Sequence, residues 1–174
     1  MAKNTPFPDY DLTYFTMTIV GWQELFIRRN YQEIVVKNIN HAIEKKGLQV
    51  FGYVVMPNHI HMLASSTKEK LGLIVQSFKS FSAKELHKEV SETEQHSRKQ
   101  RLLNAFAYHV NSEDRQFQVW THDNEPKLCY SQEFTSQKLN YIEMNPVEAG
   151  FVDEPEYWRL SSANPHSPIP VMQL

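Results

Sequence analysis

The chain has few of the cysteines and long apolar runs that are typical of secreted, zinc–thiolate and membrane proteins. It has a single cysteine, Cys129, so an intramolecular disulfide and a cysteine zinc cluster are both excluded. A lone cysteine is more often a small core residue than a nucleophile. No apolar run approaches the roughly 20 residues that a membrane-spanning helix needs, and residues 1–10 lack the apolar core of a signal peptide. We therefore expect a soluble protein in the cytoplasm.

The chain also lacks an excess of positive charge. Its 18 Lys and Arg against 20 Asp and Glu give a formal charge of −2 and a pI near 6.4. This balance argues against a generally basic nucleic-acid coat and against a polybasic membrane anchor, although a local basic groove is still compatible with it. With 174 residues and 41% hydrophobic residues, we expect one domain over residues 1–174. Its core is predicted at about residues 12–152, followed by an extended, proline-containing tail.

Hydrophobic periodicity predicts the order strand, helix, strand, strand, helix, strand and helix. The predicted strands are residues 14–20, 48–56, 59–65 and 117–120. The predicted helices are residues 31–46, residues 71–90 and a last helix capped by Ser131. This order is the split βαβ pattern of a ferredoxin-like α+β fold, with an antiparallel sheet whose first and third strands are central. We expect helices on one face of the sheet and a further C-terminal helix.

Two histidines lie in the third predicted strand, directly after a Pro-Asn turn. Because the side chains of a strand alternate between faces, His59 and His61 should point the same way and Ile60 and Met62 the other way. Two neighbouring imidazoles are half of a metal site, and imidazole suits Mn, Fe, Co, Ni or Zn better than Mg. The alternative is a polar surface pair or a hydrogen-bonded core pair.

The second candidate site lies in residues 139–150. On a helix, Tyr141 and Asn145 are one turn apart on one face. The Tyr141 hydroxyl is a candidate nucleophile that needs a base or a metal-polarised phosphate, because a phenol has an ordinary pKa near 10. The alternative for Tyr141 is a packed aromatic. The Asn145 amide is a candidate metal ligand, but Asn145 also suits the N-cap of a new helix with Pro146 at its first position.

Two stretches carry a resemblance to a known family. Residues 53–63 read Tyr-Val-Val-Met-Pro-Asn-His-Ile-His-Met-Leu, and residues 141–152 read Tyr-Ile-Glu-Met-Asn-Pro-Val-Glu-Ala-Gly-Phe-Val. Together they resemble the REP-associated tyrosine transposases, which belong to the IS200-like family of single-tyrosine His-hydrophobic-His endonucleases. The resemblance also includes residues 14–26, 117–126 and 161–163, so it covers most of the chain.

The resemblance implies a ferredoxin-like sheet with His59 and His61 as metal ligands. It implies Asn145, on the last predicted helix, as a third ligand. It implies Tyr141 as the nucleophile and Mg²⁺ or Mn²⁺ as the cofactor. Two positions depart from the pattern of many relatives, which carry histidine where this chain has Glu125 and Glu143. These departures concern auxiliary contacts rather than the nucleophile.

The function implied by the resemblance is cleavage and rejoining of single-stranded DNA through a 5′-phosphotyrosine. The expected partner is DNA with hairpins formed by palindromic repeats, bound by a monomer or a homodimer. From the residues themselves, Lys79, Lys84 and Lys88 on the second predicted helix are candidate DNA contacts. Two alternatives are a non-catalytic module that stacks unpaired bases and a metal-dependent phosphodiesterase in which water attacks.

Overall fold

The computed structural model describes residues 6–110 and 116–174. Its strands are β1 (Thr13–Thr18), β2 (Leu48–Val55), β3 (His59–Ser66) and β4 (Lys127–Leu128). Its α-helices are α1 (Arg29–His41), α2 (Leu71–Thr93), α3 (His96–Tyr108) and α4 (Gln132–Glu148). A π-helical turn, Ala42–Lys46, continues α1 up to Gly47. Among the described residues, no helix is both long enough and apolar enough to cross a membrane.

The strands form one antiparallel sheet in the order β2-β3-β1-β4. β1 and β3 are therefore central, which confirms the predicted α+β fold and its strand order. Their register pairs Thr16 with His61 and Thr18 with His59. The pairing brings β1 side chains alongside the two histidines, because directly opposite residues in an antiparallel pair point to the same face.

The sheet is apolar on both faces, and each face has its own cover. α1 and α2 cover the first face, to which β1 and β3 contribute Phe15, Met17, Ile60 and Met62. α4 covers the second face, where Ile142 packs with Tyr14, Val54 and Leu63. Burying one such large side chain stabilises the fold by about 1.5–3 kcal/mol. Since His59 and His61 alternate with Ile60 and Met62, they lie on the face that α4 covers.

The fourth strand differs from the sequence prediction. Residues 117–120 form only an isolated bridge, between Trp120 and Ile19, and β4 instead pairs Lys127 and Leu128 with the start of β1. The indole of Trp120 packs near Phe78 and donates a 3.0 Å hydrogen bond to Ser82 Oγ of α2. The apolar run at 117–120 is therefore used to fill the space under α2 instead of extending the sheet.

The weakly patterned region after α2 contains a helix that docks. α3 buries Leu102 and Phe106 in the hydrophobic core between α1, α2 and the first face of the sheet. At its start, the Glu94 carboxylate accepts a 2.9 Å hydrogen bond from Tyr31 of α1 and pairs with Arg28 at 3.0 Å and with Arg98. This buried carboxylate therefore ties α1 to the junction between α2 and α3.

Candidate active site

The two histidines form the centre of the site. Their ring centroids are 4.6 Å apart, and they share one face of β3, as the strand alternation predicts. His61 is only 6% exposed, whereas His59 is half-buried. Burial lowers the pKa of His59. Burial also lowers the pKa of His61 to about 3, assisted by the nearby Lys138. Both imidazoles are therefore neutral at physiological pH, which is the form that binds a metal ion.

Neighbouring side chains hold the δ nitrogens of both rings. His61 Nδ1 lies 2.8 Å from the Tyr14 hydroxyl and 2.9 Å from Thr16 Oγ1. His59 Nδ1 donates a hydrogen bond to Asn58 Oδ1 at 2.6 Å. Burial raises the pKa of Tyr14 to about 12, so its hydroxyl keeps its proton. Sequence reasoning missed all three partners, although the alternation of β1 could have placed Tyr14 and Thr16 on one face.

The hydrogen bonds at Nδ1 leave Nε2 of each ring as the atom that could bind a cation. Histidine ligands of metals usually engage their second nitrogen in a hydrogen bond, which fixes the ring. In residues 6–110 and 116–174, neither Nε2 has a hydrogen-bond partner. The same residues contain no group of three or more His, Cys, Asp or Glu side chains that could hold a metal ion. A cation held here would therefore depend on the two imidazoles together with amide, water or phosphate oxygens.

Tyr141 reaches the histidines from α4. Its ring centroid is 5.2 Å from that of His61 and 6.1 Å from that of Tyr14. It is 39% exposed, so its ring contacts the site while remaining accessible from outside. α4 begins at a capping residue predicted from the sequence, because Ser131 Oγ accepts the Phe134 N–H at 3.2 Å.

The close packing of α4 on the sheet depends on a glycine in β2. Gly52 follows a register irregularity in β2, between Val50 and Gly52. A Cβ at this position would lie 2.5 Å from Leu139 Cδ1 of α4. Ile142, one turn further along the helix, is completely buried between α4 and the second face of the sheet. The missing side chain at Gly52 thus lets α4 approach the sheet closely enough to place Tyr141 beside His61.

The chain is similar to proteins of a known family in sequence and in fold. A profile described as "Transposase IS200 like" matches residues 9–121, which is more than half of the chain. The chain belongs to the IS200-like transposase family. The matched segment contains both histidines and ends before α4. A search of curated proteins found no match.

Two solved structures resemble this IS200-like transposase. One is the structure of a REP-associated tyrosine transposase bound to a REP hairpin, with a TM-score of 0.56 and 14% identity. That alignment covers 93% of this chain and 82% of the other and shows a shared fold. The other is a candidate transposase from Deinococcus radiodurans, with a TM-score of 0.42 and 19% identity, covering 82% of this chain and 96% of the other.

In this family member Asn145 does not start a new helix, so the N-cap interpretation is wrong. α4 runs through Pro146 without a break, and the Asn145 carbonyl accepts the Ala149 N–H at 3.0 Å. Proline disfavours helical geometry in the residue before it, but Ile142 and Pro146 are both buried, and this packing outweighs the local preference. Asn145 is half-buried one turn after Tyr141. Its role as a metal ligand stays a prediction.

The three predicted DNA-contacting lysines all lie on α2, which covers the face of the sheet opposite the histidines. Lys84 is exposed, and Lys88 Nζ lies 3.9 Å from Glu92. Lys79 donates to the Thr121 carbonyl at 2.9 Å, and burial lowers its pKa to about 8. The structure therefore does not bring these lysines together with the candidate catalytic residues.

A lysine that the sequence reasoning missed lies at the site itself. Lys138 Nζ is 5.1 Å from the ring centroid of Tyr14 and 5.8 Å from that of Tyr141. The available signal was helical spacing, because Lys138 precedes Tyr141 by three residues. Glu143, two residues after Tyr141, accepts a 3.0 Å hydrogen bond from Ser162 Oγ.

Proposed function

We propose that this protein cleaves and rejoins single-stranded DNA, with Tyr141 as the nucleophile. Membership of the IS200-like transposase family supports this class of reaction. The observation that carries the proposal is the position of Tyr141, a partly exposed phenol whose ring lies 5.2 Å from that of the buried, neutral His61.

Hydrogen bonds at Nδ1 leave Nε2 of His59 and His61 free to bind a divalent cation, and the proposed third ligand is the Asn145 amide oxygen. When bound, Mg²⁺ or Mn²⁺ would polarise the scissile phosphate and offset its negative charge. Tyr14 and Thr16 hold the ring of His61 through Nδ1 and keep its Nε2 directed toward the site.

The chemical step is an in-line displacement at phosphorus. The Tyr141 oxygen forms a bond to phosphorus as its proton is lost to solvent, and the bond from phosphorus to the 3′ oxygen breaks. The departing 3′ oxygen takes a proton, leaving a free 3′-OH and a 5′-phosphotyrosine. Because the covalent link conserves the phosphodiester energy, another 3′-OH can attack phosphorus and release Tyr141, which joins a new strand.

The substrate we propose is single-stranded DNA with a hairpin formed by a palindromic repeat. Support comes from the structurally similar REP-associated transposase, which was solved bound to a REP hairpin. Lys79 is half-buried and donates to the Thr121 carbonyl, so the proposed DNA contacts on the outside of α2 are Lys84 and Lys88. They would bind parts of the strand away from the scissile phosphate, since α2 lies across the sheet from the histidines.

The test is a covalent-adduct assay. Labelled single-stranded oligonucleotides from the DNA flanking the gene are incubated with the protein and Mn²⁺, and a labelled protein band should survive denaturation. Tyr141→Phe removes one oxygen and little packing, so it should keep DNA binding and lose the band. An adduct that persists in Tyr141→Phe, or that maps to Tyr130 or Tyr157, would contradict the assignment. Cleavage without any adduct would indicate attack by water, and binding without cleavage would indicate a non-catalytic module.

A further inference from the structure

A row of aromatic and cationic side chains leads along α4 to Tyr141. Tyr130, just before the helix, stacks on Phe134, with ring centroids 5.4 Å apart and ring planes 13° apart. Lys138 Nζ lies 5.1 Å from the centroid of the Phe134 ring. Residues at positions 134, 138 and 141 fall on one face of a helix. We call Tyr130, Phe134 and Lys138 the aromatic–lysine stripe.

Packing alone does not account for the stripe. Tyr130 is 79% exposed, so the free face of its ring contributes little apolar burial. Lys138 makes no ion pair within 4.0 Å among residues 6–110 and 116–174. Lys138 is half-buried and lies over the Phe134 ring, and the accessible Tyr130 ring stacks on the same Phe134. The stripe therefore combines a lysine without an ion-pair partner among these residues with a free stacking surface.

These two features together match the chemistry of an unpaired nucleotide. Every base offers a π-face that stacks on an aromatic side chain, and every nucleotide carries one phosphate charge. Paired bases in a duplex are stacked on each other and cannot offer that face. We propose that the aromatic–lysine stripe binds unpaired nucleotides of the DNA strand that Tyr141 attacks, with a base on Tyr130 and a phosphate at Lys138. This inference rests on the proposed function.

The length of α4 indicates how many nucleotides separate the base on Tyr130 from the scissile phosphate. Seven residues separate Phe134 from Tyr141, which is about 10 Å along the helix axis. With a rise of about 3.4 Å per stacked nucleotide, this length and the 5.4 Å between the Phe134 and Tyr130 rings put the base on Tyr130 within about five nucleotides of the scissile phosphate. Lys138 is less than one turn from Tyr141, so it would contact a phosphate next to the scissile one.

The experiment compares two strands of equal length, oligothymidylate and an abasic sugar–phosphate strand, bound to Tyr141→Phe protein, which cannot form an adduct. The parent should bind oligothymidylate more tightly than the abasic strand. Adding Tyr130→Ala should weaken oligothymidylate binding by about 5-fold to 150-fold and leave abasic binding unchanged. Tyr130→Phe should retain the preference. Phe81→Ala, which removes an exposed aromatic on α2 across the sheet, should also retain it.

Lys138→Met tests the other half of the stripe. It should weaken the binding of both strands equally and reduce the slope of log affinity against log salt concentration by about 0.7, the value for one phosphate contact on a single strand. A Tyr130→Ala variant that keeps the full preference for oligothymidylate would overturn the inference. So would a Lys138→Met variant with an unchanged salt slope, or a protein that binds neither strand.

These outcomes separate the stripe from the proposed function. The binding assay requires no cleavage. If Tyr130→Ala weakens oligothymidylate binding but the wild-type protein never forms an adduct, the stripe is supported and Tyr141 is rejected as the nucleophile. A Tyr141 adduct that forms normally, with no binding defect in Tyr130→Ala, would leave the reaction standing and reject the stripe.

Discussion

The substitution Gly52→Ala tests whether the close packing of α4 places the nucleophile. The added Cβ would lie 2.5 Å from Leu139 Cδ1, whereas an ordinary carbon–carbon contact is about 3.5–4.0 Å. The overlap of about 1–1.5 Å must be relieved by moving either the Leu139 side chain or the whole helix. Gly52 does not have a positive φ, so alanine is compatible with its backbone and the steric overlap is the main cost.

The overlap should have a small effect on stability and a large effect on the cleavage rate. Overpacking a core costs about 1–3 kcal/mol, and removing a glycine offsets about 0.4–1 kcal/mol of this by restricting the unfolded chain. The net loss of unfolding free energy is therefore at most about 2.5 kcal/mol. A shift of α4 by about 1 Å would displace Tyr141 from the site, and misplacement by that distance can reduce a rate about 100-fold. We expect a small loss of stability and a large loss of cleavage.

The assay measures urea unfolding and the initial rate of adduct formation on the same preparations. Gly52→Ala combined with Leu139→Ala removes the overlap and should recover most of the cleavage that Gly52→Ala loses. Gly150→Ala is the matched control, because Gly150 has φ +74° and nothing within 4 Å of an added Cβ. It should lower stability through backbone strain without slowing cleavage. Wild-type cleavage by Gly52→Ala would refute the reasoning, because it would mean that Leu139 moves aside and α4 stays in place.

Three further predictions follow from the described contacts. His61→Ala should abolish adduct formation, and an active variant would reject the role of His61 as a ligand. Because His61 is buried and hydrogen-bonded to Tyr14, this substitution should also lower the free energy of unfolding by about 2–4 kcal/mol. Asn145→Asp should retain some activity, whereas full activity of Asn145→Ser at low metal concentration would reject the ligand assignment. Burial alone would raise the pKa of Glu94, but hydrogen bonds from Tyr31 and the charges of Arg28 and Arg98 outweigh it and lower that pKa. The contribution of ionised Glu94 to stability is therefore complete above its unfolded-state pKa of about 4.3 and is lost as the pH falls through the folded-state pKa. Glu94→Gln should lower the free energy of unfolding by about 1–3 kcal/mol at pH 7. It should also make that free energy depend less on pH in the acid range.

Much of the fold could be predicted because its signals are local. The alternation in β1, β2 and β3 and the helical spacing in α1 and α2 depend on residues close together in the sequence, and the observed bounds differ from the predicted ones by only a few residues. The order of these elements was enough to place β1 and β3 in the centre. The same alternation put His59 and His61 on one face before any partner was known.

Tertiary packing decided what local patterns could not. The run at 117–120 has the composition of a strand, but Trp120 packs in the core under α2. Lys127 and Leu128 form the edge strand of the sheet instead. Asn145-Pro146 has the composition of a helix start, but the burial of Ile142 and Pro146 carries α4 through it.

The environment of the candidate site was likewise set by contacts distant in sequence. Tyr14 and Thr16 reach His61 only because the β1–β3 register places Thr16 opposite it. Lys138 reaches the same site because α4 packs against Gly52, and Lys79 is excluded from it because α2 packs on the other face. The sequence by itself determined which side chains are available for chemistry and which strand carries the histidines. Only the tertiary structure decided their neighbours, because register and helix packing depend on how well distant surfaces fit together.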